Sequence, residues 1–297
     1  MNTISSLCGT QNPVFQAGLG GIAGSDLAAA VSNAGGLGHL GGIRLSASAL
    51  RDWIQQTHAL TDKPFGVNLV PMGGGPDGFD AQLSVTIAEK PQVISLFWGD
   101  FSSIIPRIKA AGITAMVQVG SVSEAQKAAA DGADIIIVQG IEAGGHVRGN
   151  LGLLTFLDET LKAVYPIPVL AAGGIGTNET VKAVLQMGAA GAWVGTRFVA
   201  TPEALAHDIY KERLVQAGAD DTVHEHFYSY GWPIGTPYRI IKPTVKGYRQ
   251  FIAGGVRKQD TAAHARGLKL YAGQGVGSIR KVQPAADILA ELGTGLY

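Results

Sequence analysis

Asp134-Ile135-Ile136-Ile137-Val138-Gln139-Gly140-Ile141-Glu142-Ala143-Gly144-Gly145-His146 decides the fold. Its first half is an unbroken β-branched apolar run, which reads as a strand buried on both faces, as in a parallel sheet covered by helices. Its second half ends the strand in Gln, Glu, glycines and a histidine. Glycines without a Cβ let a backbone approach a flat or anionic ligand closely, and an imidazole titrates near neutral pH. The run is therefore either the rim of a site or a glycine-rich turn with an incidental histidine.

Two segments further along favour the site. Pro168-Val169-Leu170-Ala171-Ala172-Gly173-Gly174-Ile175-Gly176-Thr177-Asn178-Glu179 is a second buried strand ending in glycines, with a helix opening at Thr177 or Asn178. One β/α unit later, Gly191-Ala192-Trp193-Val194-Gly195-Thr196-Arg197-Phe198 ends a strand in Gly-Thr. Free backbone N–H groups, a hydroxyl and a helix start at one end of a sheet have the chemistry of a phosphate site. Loops after the seventh and eighth strands of a (β/α)8 barrel commonly form one. Ordinary turn glycines remain the alternative.

Working outward, apolar strand-like runs alternate with helical stretches up to about residue 200, the pattern of repeated βα units. Eight strands are expected: Pro13–Ala17, Gly36–Leu40, Phe65–Leu69, Val93–Phe97, Thr114–Val119, Ile135–Gln139, Val169–Ala172 and Ala192–Gly195. Helices are expected at Ser25–Ala34 (Ser25 as N-cap, Gly35 as stop), Ser123–Asp131, Glu179–Met187 and Ala285–Leu292. The fold class is α/β, a (β/α)8 TIM barrel with a small extra segment inserted after strand eight. Residues 1–200 and 266–297 form the barrel, and 201–265 an inserted subdomain. That insertion gathers Phe227, Tyr228, Tyr230, Trp232 and Tyr238 and is either a lid over the site or a peripheral excursion with its own small core. A third glycine cluster, Tyr271-Ala272-Gly273-Gln274-Gly275-Val276-Gly277-Ser278, follows it.

Composition excludes several classes. Hydrophobic residues at 46% against 15% charged allow a large core and argue against disorder. A net charge of zero, from 23 basic and 23 acidic residues with no basic block, argues against a nucleic-acid partner. One cysteine, Cys8, excludes an internal disulfide and a cysteine metal cluster. His224 and His226 lack further ligands nearby, so no metal is expected. No apolar run spans a bilayer and no signal peptide opens the chain, so a cytoplasmic protein is expected.

The chain resembles the FMN-dependent nitronate monooxygenases, once called 2-nitropropane dioxygenases. Their relatives include FMN-type enoyl-acyl-carrier-protein reductases and an NADH:quinone reductase subgroup. The resemblance is carried by Ala29-Ala30-Val31-Ser32-Asn33-Ala34-Gly35-Gly36-Leu37-Gly38, the Gln139–His146 run, the Ala171–Ile175 run and Gly195-Thr196-Arg197-Phe198. It implies a (β/α)8 barrel with a small extra domain and non-covalent FMN. It places the FMN phosphate on Gly173, Gly174, Gly195 and Thr196, reached from the strand end Ala172. It places the flavin ring near Asn68, Gln139 and Gly144, with Gln16 and Ala17 as a backbone wall. Gln118 stands where some relatives carry a lysine that reaches the cofactor. His146 matches the family's acid or base. Tyr230 and Trp232, with Gln274 from the third glycine cluster, are the expected substrate-side residues.

The implied activity is oxidation of alkyl nitronates, and of nitroalkanes if His146 removes the α-proton, with O2 to a carbonyl compound and nitrite. A nitronate has already lost that proton, so for it His146 serves electrostatics. The same motifs serve an NAD(P)H-dependent FMN reductase of enoyl thioesters or quinones. A third alternative is a non-catalytic barrel that binds a phosphate ligand. Expected partners are a small-molecule substrate and O2, or NAD(P)H, with neither nucleic acid nor membrane. The oligomeric state stays open.

Overall fold

The computed structural model describes residues 3–226, 231–243, 258, 261 and 269–296. Eleven strands among them are β1 (Val14–Gln16), β2 (Gly38–Gly41), β3 (Phe65–Leu69), β4 (Val93–Phe97), β5 (Thr114–Val119), β6 (Ile135–Gln139), β7 (Gly145–His146), β8 (Val169–Ala172), β9 (Gly191–Val194), β10 (Thr222–Glu225) and β11 (Tyr238–Ile241). Eight of them form one parallel sheet in the order β1-β9-β8-β6-β5-β4-β3-β2. A parallel bridge from Phe15 to Leu37 joins the two ends, and Gln16 N–H donates to the Leu37 carbonyl at 3.0 Å. The sheet thus closes into the (β/α)8 barrel.

Five of the eight expected strands have the observed bounds. β1 is shorter by one residue at each end, β9 begins and ends one residue earlier, and β2 begins two residues later, after Gly36. Cβ atoms on a strand alternate between faces, and two apolar sets result. Phe15, Met116, Ile135, Ile137, Leu170 and Trp193 fill the barrel interior, while Val14, Val67, Ile136, Val138, Ala171 and Val194 face the helices. The helix Thr3–Cys8 plugs the N-terminal end of the barrel, where the Leu7 carbonyl accepts from Gln92 Nε2 and Thr114 Oγ1. That leaves the C-terminal end for a site.

The helices expected from Ser123 and Glu179 begin one residue earlier, at Val122 and Asn178, and one cap is corrected. Ser25 was expected to cap its helix, but Gly24 is the N-cap, and Ser25 Oγ instead donates to the Trp53 carbonyl at 2.9 Å. Ser121 and Thr177 cap their helices through side chains that accept from Glu124 N and Thr180 N. Gly35 stops the first barrel helix at φ +91°.

A second sheet was not anticipated. β11 pairs antiparallel with β10 and with β7, setting Tyr238 opposite His146 and Arg239 opposite Gly145. The described part of the 201–265 stretch also sends Tyr210, Leu214 and Ile241 into the same core as the barrel helices. Phe227, Tyr228 and Tyr230 lie outside the described residues.

Candidate active site

A cavity of about 250 Å³ opens at the C-terminal end of the barrel. Ala17, Asn68, Gln118, Gln139 and Ala172 reach it from strand ends or the residue just beyond, and Gly144, His146, Gly173, Gly174, Gly195 and Thr196 from the loops that follow. Trp232 lines it from the segment before β11. Twelve of the sequence-expected residues therefore line one cavity. A parallel barrel delivers every strand in the same direction, so strand-end residues distant in sequence converge.

One end of the cavity is built of backbone. Gly173 and Gly174 take φ values of +109° and +71°, which side-chain-bearing residues adopt at a cost. Gly273 and Gly275, from the third glycine cluster, close the same end. A Cβ on Gly275 would stand 2.9 Å from the Gly174 carbonyl oxygen, and one on Gly144 would collide with Gly273 N. Thr196 Oγ1 accepts from Gly273 N–H at 3.0 Å, which leaves the hydroxyl proton to be donated. The three glycine clusters of the sequence thus form one cradle.

Glu142 holds that cradle together. Its two carboxylate oxygens accept from Leu153 N at 3.0 and 3.1 Å, serving the start of the helix Leu153–Ala163 as an N-cap side chain would. Its carbonyl accepts from Gln274 N–H at 2.9 Å. Arg239 acts on the same loop: Nε and Nη2 donate to the Ile141 carbonyl and Nη1 to Thr222 Oγ1.

The other end carries His146. Its backbone is pinned by β11 and by Gln139, whose Nε2 donates to the His146 carbonyl at 2.9 Å while Oε1 accepts from Arg148 N. The imidazole stacks on Trp232 with ring centroids 3.8 Å apart and planes 20° apart. Trp232 packs edge-on against Trp98, centroids 5.2 Å apart, and the Arg148 guanidinium lies 5.0 Å from the centre of the Trp98 ring. His146 Nε2 is buried with no hydrogen-bond partner among the described residues. Burial, helped by the positive charges of Lys269 and Arg44, pushes the imidazole down to about 3. It is neutral at physiological pH, and an orphaned buried nitrogen on a cavity wall marks a place for a ligand.

Two expected residues, Gln16 and Gln274, do not line this cavity. Gln16 is fully buried between strands: Oε1 accepts from His39 N–H at 2.8 Å and Nε2 donates to the Ala17 carbonyl. Gln274 is exposed, although its neighbours Gly273 and Gly275 are on the wall. Tyr230 lies outside the described residues. Conversely, Arg44, Gly18, Phe97, Trp193 and Tyr271 line the cavity without having been singled out. Gly18 was findable as a strand-end glycine, since a Cβ there would collide with Asn68. Arg44 has no local signature, because nothing in Gly42-Ile43-Arg44-Leu45 distinguishes it from a surface loop.

The family profile described as nitronate monooxygenase matches residues 2–73 and 71–295. A nitronate monooxygenase of Pseudomonas aeruginosa is 32% identical over 96% of this chain and 96% of its own length. A dehydrogenase of Rhodococcus jostii, named for (3aS,4S,5R,7aS)-5-hydroxy-7a-methyl-1-oxo-octahydro-1H-indene-4-carboxyl-CoA, is 38% identical over 80% of this chain. The match spans 65% of that dehydrogenase's length. Among solved structures, FabK from Thermotoga maritima superposes with a TM-score of 0.86 at 30% identity, covering 98% of this chain and 94% of that one. The cavity thus sits in an oxidoreductase barrel. The chain belongs to the nitronate monooxygenase family.

Proposed function

We propose that this protein is an FMN-dependent oxidoreductase that oxidises alkyl nitronates with O2 to a carbonyl compound and nitrite. The observation that carries the proposal is His146, neutral, buried and unpartnered at Nε2, facing the same cavity as a three-cluster glycine cradle. The cradle fits a cofactor that ends in a single phosphate: positive-φ glycines, close backbone approaches that a Cβ would block, and the Thr196 hydroxyl. Gly173, Gly174, Gly195, Thr196, Gly273 and Gly275 would hold the phosphate. Ala17, Asn68, Gln118 and Gly144 would border the ring system. FMN, when bound there, supplies the electron transfer from substrate and the reaction with O2.

The side chains then divide the remaining work. An effective general base has a pKa near the working pH. At about 3, His146 is too weak to take an α-proton from a neutral nitroalkane, but a nitronate needs no such step. In its Nε2–H tautomer, neutral His146 donates a hydrogen bond to the anion. Trp232 covers the imidazole face and keeps water from it. Tyr210 and Trp232, from the described part of the 201–265 stretch, accordingly roof the site.

A second chemistry, reduction or oxidation of a thioester with a nicotinamide partner, is favoured by the identity to the carboxyl-CoA dehydrogenase. Purified, FMN-loaded protein separates the two. Oxygen uptake and nitrite release from ethyl nitronate without NADH are expected. NADH oxidation coupled to an enoyl thioester or a quinone, with ethyl nitronate untouched, would replace the nitronate proposal with the reductase.

A further inference from the structure

Arg44 lines the cavity and is the only permanently charged side chain among the described lining residues, none of which is a carboxylate. Its placement is built rather than incidental. Arg44 N–H donates to the Gly73 carbonyl at 2.8 Å, and the residue sits at φ +62°, a left-handed conformation that arginine keeps only when its surroundings impose it. Gly231 passes against the guanidinium so closely that a Cβ there would collide with Nη2. The next residue is Trp232, stacked on His146, so Arg44 belongs to the His146 end of the cavity and not to the glycine cradle.

The charge also acts on the reacting end. Lys269 and Arg44 are the two positive groups that bear on His146. Lys269 does not line the cavity and keeps its ammonium 3.8 Å from the centre of the Tyr238 ring. An anion entering this space therefore meets a positive field, focused by the apolar walls that Ile22, Ile43, Val70, Phe97 and Trp193 contribute. A guanidinium fork matches a planar group that presents two oxygens.

We propose that Arg44 is a specificity-determining residue, binding the planar two-oxygen anion of the substrate beside His146 and so selecting a nitronate over its neutral nitroalkane. This rests on the nitronate chemistry proposed above. A substrate carboxylate offers the same two-oxygen geometry and is tested separately.

The test uses FMN-loaded wild type, Arg44→Gln, Arg44→Lys and Gly231→Ala. Nitrate, a planar oxyanion that cannot react, is titrated into each while tryptophan fluorescence and flavin absorbance are followed. Ethyl nitronate turnover is then followed in steady state, with nitroethane and acetate each as a competing ligand. Arg44→Gln is expected to raise the nitrate Kd and the nitronate KM by roughly 10–100-fold, the effect of a lost charge-assisted hydrogen bond. The Ki of nitroethane as a competitor and the nitronate kcat should change little. Arg44→Lys should recover part of the loss, and Gly231→Ala, which displaces the guanidinium, should fall between.

Arg44-dependent inhibition by acetate, with no such dependence for nitronate, would reassign Arg44 to a carboxylate and overturn the nitronate selection. Equal nitrate binding by wild type and Arg44→Gln would overturn the assignment, as would an equal rise in the nitronate KM and the nitroethane Ki. Arg44-dependent nitrate binding in a protein that turns over no nitronate would sustain the anion site and sink only the nitronate chemistry.

Discussion

At the scale of single residues, His146 is decided by its surroundings more than by its identity. A free histidine titrates near 6.5, inside the physiological range. Burial, with Lys269 and Arg44 near it, moves this one to about 3. The expected consequence is a kcat/KM for nitronate that is flat from about pH 5 to 8 as far as His146 is concerned. An inflection near 6.5 that disappears in His146→Gln would contradict this. The same variant should lower nitronate kcat/KM by roughly 10–100-fold, through loss of one hydrogen bond to an anion. Flavin content should be unchanged. His146 and Gln139 stood out from the glycine-rich end of an apolar strand, and Asn68 and Gln118 only from the family resemblance; all four line the cavity. Arg44 and Trp98 were not legible. Both take positive φ, at 62° each, and no sequence pattern announces a non-glycine residue in that conformation.

At the scale of elements, the cradle depends on backbone shape and so on glycine. Gly174 sits at φ +71°, and a Cβ there would come within 3.3 Å of Glu142 Cβ. Gly174→Val is therefore expected to fold but to purify without flavin. The wild type should be yellow and release FMN, not FAD, on denaturation. The ratio of flavin to protein absorbance, before and after incubation with FMN, measures it. Full flavin retention in the valine variant would remove the cradle from phosphate binding. Long buried strands such as Thr114–Val119 and Ile135–Gln139 could be bounded from sequence because each is a single apolar run between turn residues. The pairing of β7 with β11 could not. β7 is two residues long and meets a partner some ninety residues later, so neither periodicity nor a hairpin turn signals it. Gln16 illustrates a smaller gap. The resemblance made it a backbone wall of the flavin site, but its side chain is buried and its amide is spent on His39 N–H and the Ala17 carbonyl.

At the scale of the whole molecule, two buried histidines make stability depend on pH. His39 is fully buried, edge-on to Trp193, and burial holds it down to about 3, as with His146. Both are near 6.5 in the unfolded chain, so between about 3 and 6.5 the unfolded state binds more protons. Their contribution is complete above about pH 6.5 and is lost as pH falls toward 3. The loss is at most about 1.4 kcal/mol per pH unit for each group. Urea unfolding at pH 7 and pH 5 should show the lower pH less stable, and His39→Leu should flatten the difference. Equal stability at both would show that His39 titrates normally. The closed barrel itself was legible as eight βα alternations, yet closure rests on the Phe15–Leu37 bridge between β1 and the start of β2, which spacing alone does not reveal.

The most direct measurement of the central claim removes oxygen. Yellow, FMN-loaded protein mixed anaerobically with ethyl nitronate, and with no NADH, is expected to lose its oxidised-flavin absorbance within the mixing experiment and to regain it on admission of air. A spectrum that nitronate leaves unchanged while NADH bleaches it would contradict the account.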